Sequence, residues 1–436
     1  MDGFPVMGIP DSGDTAWMLA SSALVLLMTP GLAFFYGGMV RAKGVLNMLM
    51  MSISAMGVVT VLWVLYGYSM AFGTDKFNVV GDPTQYWGLK GLIGGVYLQL
   101  KPEDAAVAIP LAGTIPQTVF VAFQLMFAII TVALISGAVA DRLKFGGWLL
   151  FAGLWATFVY FPIAHWVFAF DGVTGEKGGW IANQLKAIDF AGGTAVHINS
   201  GTAGLVLCLI LGKRIGWPGT MMRPHNLTFV MLGAGLLWFG WYGFNAGSAV
   251  GSNGIAGATF ITTTIATGTA MLGWLITERI RDGHATTLGA ASGIVAGLVA
   301  ITPSCSSVNA VGALIIGLLA GIVCALAVGL KFKLGFDDSL DVVGVHLVGG
   351  LLGTLMVGLV AAPEAPAAVT GLFYGGGFDQ LIKQAIGAFA VLAYSAIGTA
   401  IVAYIVKFTI GLRLDEEAEA TGIDESEHAE TAYELA

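Results

Sequence analysis

Runs of apolar residues long enough to cross a bilayer recur from one end of this sequence to the other. A helix needs about 20 such residues to span the hydrocarbon. Eleven runs are found, at about 16–40, 45–72, 115–140, 146–168, 190–212, 228–250, 257–277, 286–303, 310–331, 341–361 and 383–408. The eighth is the weakest, short and rich in Gly and Thr. Only 11% of the residues are charged, against roughly 25% in a soluble domain. The expectation is one all-α polytopic membrane domain over 16–410, between a short segment at 1–15 and a tail at 411–436.

Charge gives the expected orientation. Residues 1–15 hold three acids and no base, the opposite of a signal peptide's basic start, so the first run reads as a true membrane helix. Lys and Arg gather on the cytoplasmic side of membrane proteins. With the N-terminus outside, thirteen of them, including Arg41, Arg142, Arg214, Lys331 and Arg413, fall inside. Six fall outside: Lys76, Lys90, Lys101, Lys177, Lys186 and Lys383. The net charge of −8 comes from nine acids after Arg413, from Asp415 to Glu434. The membrane domain is nearly neutral, and no basic patch points to nucleic acid. Cys208, Cys305 and Cys324 do not form a disulfide framework.

Ionisable groups inside a span are costly and are functional candidates. His197 lies in the fifth span and His346 in the tenth; His165 lies near the end of the fourth. The run Val196-His197-Ile198-Asn199-Ser200-Gly201 has a faint echo in Val345-His346-Leu347-Val348-Gly349-Gly350. Each follows an aspartate expected to cap its helix, Asp189 and Asp341. Five spans separate the copies, so the second would be inverted, a transporter device with its site at the repeat interface. Aromatic residues gather nearby: Phe34, Phe35 and Tyr36; Phe123 and Phe127; Trp238, Trp241, Tyr242 and Phe244, just before Asn245 and Ser248. Most such stripes are packing, but aromatic faces also hold a cation that has shed water. Glycines four apart, as at Gly289, Gly293 and Gly297, let helix backbones approach closely.

At these residues the chain resembles the ammonium transporter / methylammonium permease / Rhesus superfamily, and its ammonium transporter branch most. The strongest segments are Asp189 to His197, Trp241 to Ser248, Asp341 to His346, Pro116 to Arg142 and the tail from Gly411 to Tyr433. The resemblance implies eleven transmembrane helices in two inverted five-helix repeats plus a final helix, assembled as a homotrimer in the plasma membrane. It implies His197 and His346 as paired pore histidines and Phe127 and Phe244 as a phenylalanine gate. Phe127, Phe168, Ser248 and Asp189 fall at the outer ammonium recruitment site. Leu32, Phe35, Tyr36, Leu237, Trp241 and Val342 fall on the pore lining, and Thr302 near the vestibule. The chain departs from the family at Phe168, where a tryptophan is usual; Phe is the poorer partner for a cation.

The activity implied is transport of ammonium or methylammonium, with no cofactor and no enzymatic step. The cation is held outside, loses its proton and crosses as ammonia, the proton crossing separately. The acidic tail would lie in the cytoplasm, where a PII-type regulatory protein could dock. The alternative is an ammonium sensor signalling through the tail. A membrane enzyme using the histidines as metal ligands lacks an obvious third ligand.

Overall fold

In the computed structural model the described residues are 4–93, 108–219 and 223–433; Lys101 and Glu434 lie outside them. Among the described residues ten helices are long and apolar enough to cross a membrane. They are α1 Ser12–Met39, α2 Ala42–Phe72, α3 Gln117–Val139, α4 Phe145–Phe168, α5 Gly193–Leu211, α6 Leu227–Ala249, α7 Gly254–Asp282, α9 Ala310–Leu334, α10 Val343–Val360 and α11 Asp379–Thr409. Between α7 and α9 runs the shorter apolar helix α8, Thr287–Ile301, the run that was weakest in the sequence. The helices form an eleven-helix membrane bundle.

The packing repeats across the two halves. α1 packs on α3 as α6 packs on α8; α2 packs on α4 as α7 packs on α9; α3 packs on α5 as α8 packs on α10. An odd number of helices per half inverts the second half, and α11 closes the bundle against α5 and α10. The small strands were not expected from the sequence. β1 Val6–Gly8, β4 Ile109–Ala112 and β5 Ile115–Pro116 form an antiparallel sheet in the order β1-β4-β5. β2 Asp75–Lys76 pairs with β3 Val80–Gly81. All lie in connections on one face of the bundle, here the strand face. Residues 411–433 cover the opposite, tail face.

α5 and α10 begin alike, from opposite faces. Each opens in a wide π-helical turn, Gly193–Ile198 and Val343–Leu347, before tightening into an α-helix. The cap of α5 is Asp189, as the sequence suggested: its carboxylate accepts the N–H groups of Gly192, Gly193, Thr194 and Ala195 at 2.6–3.1 Å. It also accepts the Thr194 hydroxyl. The cap of α10 is not Asp341. Asp341 sits in the left-handed region at φ 64°, and its carboxylate pairs with Lys331 at 2.6 Å. Asp338 accepts the N–H groups of Val342 and Val343 at 3.1 and 2.7 Å. The repeat is therefore tighter than it looked: each capping aspartate precedes its histidine by eight positions.

Residues 411–433 of the tail are ordered, with short helices α12 Glu416–Thr421 and α13 Ile423–His428. Its acids act as caps for other elements. Asp424 accepts the N–H groups of Leu46 and Asn47, at 3.0 and 2.8 Å, in the first turn after the Gly44 kink of α2. Glu427 accepts the Phe145 N–H at the start of α4, at 2.8 Å. Glu419 accepts the Ile215 N–H at 2.7 Å and pairs with Arg413 at 2.8 Å. Free N–H groups at a helix start need such partners, so much of the tail's negative charge is used locally.

Candidate pore and twin-histidine site

The strand face opens into a chamber of about 230 Å³. Its walls carry Phe120, Phe123, Gln124, Phe168 and Ser248, and its floor reaches Phe127. Ser248 lies just beyond the last α-helical turn of α6 and donates its hydroxyl to the Phe244 carbonyl at 2.7 Å. With the proton so committed, the oxygen's lone pairs remain for a donor. Phe168, the last residue of α4, stands edge to face with Phe127 at 6.3 Å between centroids. Asp189 is not free to bind in the chamber, since its carboxylate is saturated by the cap.

Phe127 from α3 and Phe244 from α6 stack at 4.2 Å with their planes 22° apart. Both are buried, and together they close the chamber floor. Beneath them lies a thin apolar lane with free space of only about 10 Å³, close to the least that holds one water-sized molecule. Leu32, Phe35, Leu237 and Trp241 line it, as do His197 and His346. Tyr36 and Val342 are buried but not on its wall: Tyr36 donates its hydroxyl to the Leu134 carbonyl at 3.1 Å, and Val342 packs near Gly204. Thr302 is one shell further out, accepting the Trp241 indole N–H at 2.9 Å and bonding the Leu298 carbonyl at 2.7 Å. The indole is thereby held parallel to His197, at 5.4 Å and 17°.

The histidines meet Nδ1 to Nδ1 at 3.2 Å, both buried. Two glycines make this possible. Gly201, four residues after His197, lies so close to α10 that a Cβ there would stand 2.4 Å from the Leu347 nitrogen. Gly350, four after His346, leaves no more than 3.0 Å between such a Cβ and the His197 Cβ. One proton between the two Nδ1 atoms makes one ring an Nδ1 donor and the other an acceptor. The outer nitrogens are then fixed as one acceptor and one donor. The Nε2 of His197 is buried without a protein partner.

His165 is elsewhere. Its ring nitrogens face the Ala71 carbonyl at 2.9 Å and Asp75 at 3.2 Å, tying α4 to the β2–β3 hairpin. Several lane residues had no sequence signal: Met28, Ile130, Leu134, Val196 and Val295 are ordinary apolar side chains. Asp338 could have been found, by matching the spacing from Asp189 to His197. Among the described residues no three His, Cys, Asp or Glu gather closely enough to hold a metal ion.

Known proteins resemble the chain over nearly its whole length. The profile of the Ammonium Transporter Family matches residues 16–433. An ammonium transporter of Mycobacterium tuberculosis is 77% identical over 444 residues, covering 100% of this chain and 93% of its own. One from Aquifex aeolicus is 48% identical over 98% of this chain and 94% of its own. The crystal structure of Candida albicans Mep2 superposes with a TM-score of 0.82 at 33% identity, over 94% of this chain and 87% of that one. A protein described as a sensor Amt protein gives 0.84 at 26% identity, over 95% and 98%. On the match along nearly its whole length, the chain belongs to the Ammonium Transporter Family.

Proposed function

We propose that this chain moves ammonium by separating it into ammonia and a proton. The supporting observation is the Nδ1–Nδ1 contact of His197 and His346 inside a lane about one molecule wide. Ammonium arrives in the chamber, where the Ser248 oxygen accepts one of its N–H bonds and the Phe127 and Phe168 rings favour its charge. Below the Phe127–Phe244 stack the lane offers no counter-charge, so the ion is penalised there and the neutral molecule is not. The histidine pair supplies one donor and one acceptor along the lane, enough to order ammonia or relay a proton. Potassium has no proton to give up and is refused. The proton crosses separately, making transport electrogenic.

The functional unit is a homotrimer in the plasma membrane, with the strand face outside and the tail in the cytoplasm. The tail couples the loops beneath the pore and offers a docking face for a PII-type regulator. The test is current from the purified protein in liposomes on a solid-supported membrane. Ammonium and methylammonium should evoke charge movement and potassium should not. Silence toward ammonium from a folded trimer would leave only the sensor reading.

A further inference from the structure

The chamber does not end at its own walls. A second cavity of about 350 Å³ lies beside it on the strand face. The two share Phe168, Phe170, Phe190 and Ser248, so they meet along one rim. Beyond the rim the side cavity runs past Ala182, Ala187 and Ile188 to Ile255 and Pro366. These far walls are apolar except at Ser306. Two charged residues belong to the lining: Asp189, whose carboxylate is spent on the α5 cap, and Lys186, which is exposed. The rim thus offers a hydroxyl oxygen with free lone pairs and an aromatic ring, and the space behind it offers hydrocarbon.

We infer that the side cavity takes the alkyl chain of a primary alkylammonium ion whose head sits on the shared rim at Ser248 and Phe168. This rests on reading that rim as the cation site. The lane below the gate, with about 10 Å³ of free space, cannot admit the chain. Such an ion therefore blocks the chamber instead of crossing. Each methylene buried in the side cavity tightens the block by at most about fourfold.

The experiment inhibits ammonium-evoked current with ethyl-, propyl-, butyl- and pentylammonium, using pentanol as the neutral control. The expected result is competitive inhibition that tightens roughly two- to fourfold per methylene, with pentanol inactive at equal concentration. Ile255→Trp and, separately, Ala182→Trp fill the cavity from two walls. Each should keep the ammonium current and lose the dependence on chain length. A dependence that persists in both filled variants would assign it to the bilayer and overturn the inference, as would its absence in the wild type. Calorimetry of butylammonium with wild type and Ile255→Trp reads the cavity without current. Binding lost on filling, in a protein that passes no ammonium current, would sink the transport reading and leave the cavity assignment standing. Equal binding in the two proteins would overturn the assignment.

Discussion

Asp189 at the strand face and Asp338 at the tail face are partners in the inverted repeat, yet their surroundings differ. Asp189 accepts four backbone N–H groups and a hydroxyl, and stands beside open aromatic cavities. Asp338 accepts two N–H groups and is enclosed among charges. Lys331 bonds the Asp338 carbonyl at 3.0 Å and the Asp341 carboxylate at 2.6 Å. Next door, Asp337 pairs with Arg214 at 2.7 Å and accepts Arg142 at its carbonyl. Burial pushes the Asp338 carboxyl up to about 6, against the pull of Lys331. For Asp337 burial also works upward, but hydrogen bonds from Arg214 and the charge of Arg142 outweigh it and hold the carboxyl below its usual range. Symmetry places the helices and the histidines. The loops then make one end an open aromatic chamber and the other an ion-paired junction carrying the tail.

The largest effect should come from removing the strand-face cap. Asp189→Ala leaves four N–H groups without their acceptor, each costing roughly 1–3 kcal/mol if buried and unmet. Asp338→Ala leaves two. Melting in detergent should fall much further for Asp189→Ala; equal losses would break the comparison. A pH series sharpens it. A carboxyl raised to about 6 in the folded protein binds its proton more tightly folded than unfolded. Its stabilising contribution is full below about pH 4 and is lost as pH rises through 6. Wild type should therefore lose melting temperature relative to Asp338→Asn between pH 4 and 7. A constant difference would contradict the assignment.

An intermediate effect is expected at the tail face. Truncation after Arg413 removes Glu419, Asp424 and Glu427, and with them the caps of the α2 turn and α4 and the Ile215 contact. A lost cap costs about 0.5–2 kcal/mol. Ammonium current should fall while the trimer persists. Full current at an unchanged melting temperature would show that the tail couples to nothing. The smallest effect is expected at the chamber. Phe168→Trp should lower the half-saturating ammonium concentration roughly two- to fivefold, the gain from a better cation partner at a partly open site. An unchanged value would remove Phe168 from the cation's wall.

The fold was legible because spans of this length carry their signal in local composition, and even α8 showed as the weak run. The histidine pair was legible because ionisable residues stand out against apolar helices. Asp338 was passed over because Asp341 lies nearer the helix start and is the same residue type; within the sequence only the eight-residue spacing shared with Asp189 and His197 separates them. The order of the tail up to Tyr433 was not legible in its composition, which does not tell acids that cap distant helices from acids that are merely solvated. The lane's aliphatic residues were invisible, since an apolar side chain facing a one-molecule gap has the same sequence signature as one facing a neighbour. The strands and the side cavity arise from connections brought together across the whole chain, and no local pattern announces them.

The central claim is that the two histidines make selection depend on a removable proton. The most direct test is the current carried by a His197→Leu/His346→Leu double variant in liposomes, with ammonium and potassium compared on the same preparation after the trimer is verified. Proton-coupled selectivity should disappear: the ammonium current is lost, or the cations that pass are no longer distinguished. Ammonium current with selectivity over potassium equal to that of the wild type would contradict it.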